Sequence, residues 1–434
     1  MAERVLFRGA RVVDPVTGRD EVADVSVVDG RIDQVERSID PTAAEVLDCA
    51  DLVLTPGLVD LHTHLREPGF EYKETIASGT RAAAAGGYTA VSSMANTDPV
   101  TDHAGIVAEI RDKAAETGAA DVFPVGAITK GLAGESMAEL GEMVEAGVRV
   151  FSDDGNCVPT ARMLRNALVY AKAFPPEVVI ADHCEDPSLV EGGHMHEGAH
   201  ASAMGLAGRP AEAEEIVVAR DLAIARATGG RIHICHVSSA RSVELLRRAK
   251  RDGVRVTAEV TPHHLVFTDD DLAGYDTNFK VHPPLRTIED RDALRGAVAD
   301  GTIDVIATDH APHAVEEKES EFDLSPPGTI GLETALAAVL THLVAPGVVD
   351  LPRAIEAMST MPARILGASG HGGPIDAGAP ANLTVFDPGD TWVVEAPFVS
   401  KARNSAFLGR TLSGRVRYTM LRGALTAADG KVRG

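Results

Sequence analysis

Eight short runs rich in valine and isoleucine recur along the chain, at 58–61, 89–93, 122–128, 148–151, 178–181, 232–235, 254–260 and 303–307. Segments with helical spacing or alanine-rich composition separate them. Each run is too short for a core helix, and Gly, Pro or polar residues bound it. One intervening helix is marked at both ends. Ser238 or Ser239 caps it, Val243, Leu246 and Ala249 make an apolar stripe, and Gly253 stops it. Strand and helix alternating eight times predict an α/β fold, a (β/α)8 barrel of TIM type, over 53–374. The flanks, 1–52 and 375–434, read as strands and turns too small to stand alone, which predicts a small composite β-sandwich built from both chain ends.

Loops after the strands of such a barrel converge on one mouth. Polar residues fall there: His62 and His64 after the first run, Asn96 after the second, Asp153 and Asp154 after the fourth, and His183 after the fifth. His236 follows the sixth, His263 and His264 the seventh, and Asp309 and His313 the eighth. Histidines at i and i+2 on extended chain point the same way, so His62 and His64 can reach one ion. His183, His236 and Asp309 bring the set to four neutral nitrogens and a carboxylate, and Asp154 offers a second carboxylate able to bridge two ions. This mixture suits zinc, with cobalt or manganese as substitutes. Arg66 lies two residues past His64 on the same side, where its planar fork can grip a carboxylate. His103, His194, His196, His200, His342 and His371 lie away from strand ends and read as solvated, His233 as packing, and Lys130 as a loop lysine. His263 and His264 stay outside the ligand set. The irregular stretch 311–331 reads as a closing lid whose backbone near Pro327 and Gly328 covers the substrate.

A chain of 434 residues with 44% hydrophobic content can bury a large core. Its 41 basic against 64 acidic residues give a formal charge of −23, which opposes docking onto nucleic acid or an anionic membrane and leaves a small molecule as the expected partner. Cys49, Cys157, Cys184 and Cys235 are scattered, with no CxxC pair, which fits a reducing cytoplasm. Residues 1–13 lack the long apolar region of a signal peptide, and the most apolar later stretch, 335–349, is broken by His342 and Pro346. The expected location is cytoplasmic.

The segments "DLHTHLREPG", "GGYTAVSSMANTDP", "FSDDG", "DHCED", "HICHVSS", "VTAEVTPHHL" and "IATDHAPHAVEEK" resemble, in order and spacing, the type I bacterial dihydroorotases of the cyclic amidohydrolase family. The similarity spans essentially the whole chain. It implies zinc-dependent, reversible hydrolysis of dihydroorotate to N-carbamoyl-L-aspartate in pyrimidine synthesis. It further implies two zinc ions per chain bridged by Asp154 and hydroxide, with His62, His64, Asp154 and Asp309 on one ion and Asp154, His183 and His236 on the other. Asp153 would serve behind them. Asp309 would act as base and then acid. Asn96 and His313 would complete recognition of the substrate carboxylate and Asn278 would contact the ring amide; on sequence alone Asn96 can instead close an Asx-turn. Family habit implies a homodimer and allows a complex with aspartate transcarbamoylase. Two other readings stand beside this one: a hydantoinase, dihydropyrimidinase or allantoinase, and a non-catalytic scaffold.

Overall fold

The computed structural model describes residues 4–433; residues 1–3 and 434, at the outer ends of the two expected β segments, lie outside them. All eight runs form parallel strands: Leu58–Asp60, Tyr88–Ser93, Asp121–Pro124, Val150–Ser152, Val179–Asp182, Ile232–Ile234, Val256–Val260 and Val305–Ile306. The last five make one sheet and the first three another. Two parallel bridges, Gly126 with Phe151 and Thr63 with His310, join the sheets and complete the ring. Several strands are shorter than the runs that announce them. Residues 125–128 and 307 leave the regular ladder as the chain turns towards the mouth.

Both faces of these strands are buried, as a parallel barrel requires. Val59, Leu61, Ala90, Val179, Ala181, Val305 and Ala307 pack inside the ring, while Leu58, Val91, Ile180, Ile232, Ile234 and Ile306 pack outwards against helices. The helix Ala161–Ala171 buries Leu164, Ala167, Leu168 and Ala171, one stripe at helical spacing. The helix expected after the sixth strand spans Ala240–Arg251. Ser239 caps it by accepting from the Ser242 amide, and Val243, Leu246 and Ala249 are buried. Ser238 instead bonds Glu214.

The chain ends meet in one nine-stranded sheet. Its seam is Val53–Pro56, antiparallel to Leu383–Val393 from the C-terminal end and parallel to Arg4–Asp14 from the N-terminal end. Residues 53–56, given to the barrel by the sequence reading, therefore belong to this sheet. Its core of Phe7, Val25, Ile32, Leu54, Leu383 and Met420 is separate from that of the barrel. Gly57 then carries the chain into the first barrel strand so close to Thr89 that a Cβ would lie 2.3 Å from its side chain.

Candidate active site

The ends of the first, fourth, fifth, sixth and eighth strands bring His62, His64, Asp154, His183, His236 and Asp309 together, all buried. Asp154 lies at the centre and its two oxygens face different partners. Oδ2 is 3.4 Å from His62 Nε2 and 3.5 Å from His64 Nε2, whereas Oδ1 is 3.4 Å from His183 Nδ1 and 3.2 Å from His236 Nε2. Asp309 Oδ1 closes the His62–His64 side, 3.7 and 3.1 Å from their Nε2 atoms. His62 Nε2 makes no hydrogen bond although it is fully buried, so the nearby carboxylates and this lone nitrogen share a space suited to a cation. Arg66, His236 and Asp309 hold φ of 64°, 29° and 45°, left-handed backbone that non-glycine residues adopt at a cost. Asp153 points the other way, accepting from the amides of Ile128 and Thr129 at 2.8 and 2.9 Å.

Partners behind the ligands orient them. Glu259, in the seventh strand, lies 2.6 Å from His62 Nδ1; Glu185 is 3.2 Å from His183 Nε2; Asn96 Oδ1 is 2.9 Å from His64 Nδ1. Burial alone would keep these imidazoles neutral. Against it, with no cation bound, the carboxylates Asp154 and Glu259 raise His62 well above the usual range and Asp154 and Glu185 raise His183 to about 10, positive charge that a bound cation would replace. Burial likewise opposes ionisation of Asp309, yet the His64 hydrogen bond and the surrounding imidazoles bring it down to about 2. The pocket is built to balance carboxylates with positive charge.

A cavity of about 220 Å³ opens over this cluster, lined among others by His64, Arg66, Asn96, Asp154, Asp309, His313, Pro327 and Gly328. His62 lies beneath it. Arg66 is fixed by Nε donating to the Pro312 carbonyl at 3.2 Å. Asn96 gives its carbonyl to His64 and the Asp98 amide donates to the Pro68 carbonyl, so the Asx-turn alternative fails. His313 donates Nε2 to the Pro327 carbonyl at 2.9 Å, so it holds the loop as well as facing the cavity. Burial beside Arg66, Lys73 and Lys318 pushes it down to about 2, and it stays neutral. Pro327 and Gly328 wall the cavity, but their backbone groups are already engaged: the Gly328 amide donates to the Lys280 carbonyl and its own carbonyl accepts from Lys318 and Asn404. Gly328 has φ +140°, and a Cβ there would meet Ala311 and His313 at 2.9 Å.

Asn278 departs from the expectation. It sits in the short turn Thr277–Phe279, its amide accepted by Asp276, and does not line the cavity. His282, four residues on, does, and its buried Nε2 has no hydrogen-bond partner. The turn breaks the periodicity that could have distinguished the two positions. His371 is also not solvated. It is buried and bonds Thr89 and Asp121 at 3.0 Å each. His233 does more than pack, since its Nε2 holds Glu259 at 3.1 Å. Lys130 is an exposed loop lysine paired with Glu139. A second buried acidic cluster, Asp182, Cys184 and Asp221, already has its cation in Arg220, 3.0 and 2.7 Å from the two carboxylates. Glu259 itself was legible only as a lone acid within an apolar strand.

A family model described as dihydro-orotase-like matches residues 51–242. A dihydroorotase of Pelotomaculum thermopropionicum is 50% identical over 431 residues, covering 99% of this chain and 100% of that protein. One of Streptomyces coelicolor is 50% identical over 432 residues, 99% of each. Among solved structures, an L-hydantoinase (dihydropyrimidinase) from Arthrobacter aurescens superposes with a TM-score of 0.90 at 27% identity, covering 100% of this chain and 98% of that one.

Proposed function

Since the chain belongs to the dihydroorotase family, as half-identical relatives over its full length show, we propose that it interconverts dihydroorotate and N-carbamoyl-L-aspartate at a pair of zinc ions, as a step of pyrimidine synthesis. It is a cyclic amide hydrolase. One observation carries the two-ion reading: Asp154 turns one oxygen to His62 and His64 and the other to His183 and His236. His62, His64, Asp154 and Asp309 would hold one ion, and Asp154, His183 and His236 the other. Bound there, zinc supplies Lewis acidity, which acidifies water and polarises the amide carbonyl.

The protein's own groups do the rest. Asp309, ionised and lining the cavity, accepts the proton of the attacking water and returns it to the departing ring nitrogen. Arg66, its Nε anchored on Pro312, presents its outer nitrogens to the substrate carboxylate. Asn96 keeps its amide NH2 for the same carboxylate while its oxygen orients His64. His282 offers an unpaired imidazole nitrogen to the ring amide, the role the sequence assigned to Asn278. His313, Pro327 and Gly328 close the wall over the substrate.

Assembly as a homodimer, alone or with an aspartate transcarbamoylase, belongs to the same reading and is supported by the family resemblance; size-exclusion chromatography with light scattering tests it. Four buried free thiols support a cytoplasmic location. Among the described residues no helix is long and apolar enough to cross a membrane. The deciding experiment assays dihydroorotate, hydantoin and allantoin in parallel, with zinc measured on the same sample. Turnover confined to dihydroorotate with about two zinc ions per chain is expected. Comparable turnover of hydantoin would move the chain to the hydantoinase reading, and inactivity with zinc well below one ion per chain to the scaffold.

A further inference from the structure

Glu259 is 1% exposed, and neither lysine nor arginine donates to it. Its Oε1 lies 2.6 Å from His62 Nδ1 and 3.3 Å from the His236 amide, and its Oε2 lies 3.1 Å from His233 Nε2. His233 Nδ1 is in turn 2.9 Å from Thr257 Oγ1. A buried carboxylate without a basic partner is costly unless a cation lies close by. His62 lies between Glu259 and the Asp154–Asp309 space, its Nδ1 on the one and its Nε2 facing the other. Accepting from Nδ1, the carboxylate keeps a proton on that side of the ring, so that the unpartnered Nε2 is the nitrogen a cation in that space would engage.

The other three histidine ligands lack an equal support. His64 leans on the neutral amide oxygen of Asn96, His183 on Glu185, whose charge Arg209 shares at 3.2 Å, and His236 Nδ1 has no partner. We propose, resting on the zinc reading above, that Glu259, braced by His233, is the positioning residue that fixes His62 and sets zinc affinity on the His62–His64 side of the centre.

Zinc affinity of the intact protein, measured by competition with a chromogenic chelator, tests this, together with the visible spectrum of the cobalt-loaded form. Glu259→Gln keeps the shape and one acceptor oxygen but removes the charge. It is expected to weaken one zinc ion about 10- to 100-fold, leave the other near its original affinity, and shift the cobalt bands, while the metal-free variant keeps its far-ultraviolet circular dichroism. Folded Glu259→Gln with unchanged zinc affinity and cobalt spectrum would overturn the proposal. Should that variant not fold, His233→Gln, which leaves Glu259 in place without one donor, carries the same test: a smaller loss on one ion is expected, and no loss overturns it. If wild-type protein takes up no zinc at all, the reading of the centre itself fails, an outcome distinct from equal affinity in wild type and variant.

Discussion

Arg66 and His313 show how single side chains acquire roles from their surroundings. Arg66 lines the cavity with its Nε held by the Pro312 carbonyl. Arg66→Ala should raise KM and lower kcat/KM for dihydroorotate by about two orders of magnitude, the scale of a lost charge-assisted pair; steady-state kinetics showing an unchanged KM would contradict the clamp. His313 carries a pH signature. Folded, it sits near 2, far below the usual value of about 6.5, so the folded protein keeps it neutral while the unfolded chain takes up a proton below pH 6.5. Its contribution is therefore constant above that pH and is lost as pH falls from 6.5 towards 2. In His313→Gln, urea-measured stability should fall less steeply between pH 6.5 and 4.5, by up to about 1.4 kcal/mol per pH unit; parallel slopes would contradict it. Side-chain alternation on extended chain made His62, His64 and Arg66 readable, and position just after a strand made His183, His236 and Asp309 so, while the choice of Asp154 over Asp153 rested on the family resemblance. Asn278 rested on the resemblance alone, with no local pattern in the turn at Thr277–Phe279 to separate it from His282, and the tie between His62 and Glu259 spans 197 residues, beyond any local pattern.

At the scale of elements, two devices hold the machinery in place. Strand ends aim the ligands, and helices behind them keep the strands seated. Ser239→Ala removes the cap of Ala240–Arg251 and should cost about 1 kcal/mol in chemical denaturation. The loop 311–331 is latched by Lys318, which is buried and donates to the carbonyls of Pro326 and Gly328 at 2.9 and 3.1 Å. Lys318→Met should loosen the wall and raise KM about tenfold, two lost hydrogen bonds' worth, with zinc content unchanged; metal loss in that variant would mean that the loop supports the centre rather than the substrate. The eight strands were legible because β-branched runs bounded by Gly and Pro leave few alternatives. Their exact ends were not, since residues such as Asp304 and Ala307 flank the paired Val305 and Ile306 and still donate to Ala258 and Val260 of the neighbouring strand at 3.0 and 3.1 Å. Val53–Pro56 was misassigned for a related reason: nothing in its composition separates a seam strand from a barrel strand.

For the whole molecule, a chain of charge −23 buries three of its carboxylates at one mouth. The carboxylates Asp154, Glu259 and Asp309 meet there without arginine or lysine bonded to any of them, and in the proposed centre metal ions supply the balance. The measurement that tests this most directly is a crystal structure of zinc-loaded protein with anomalous data collected at the zinc edge. Two peaks are expected, one on each side of Asp154, with His62, His64 and Asp309 about the first and His183 and His236 about the second. A pocket without zinc signal, or zinc bound away from His183 and His236, would contradict it.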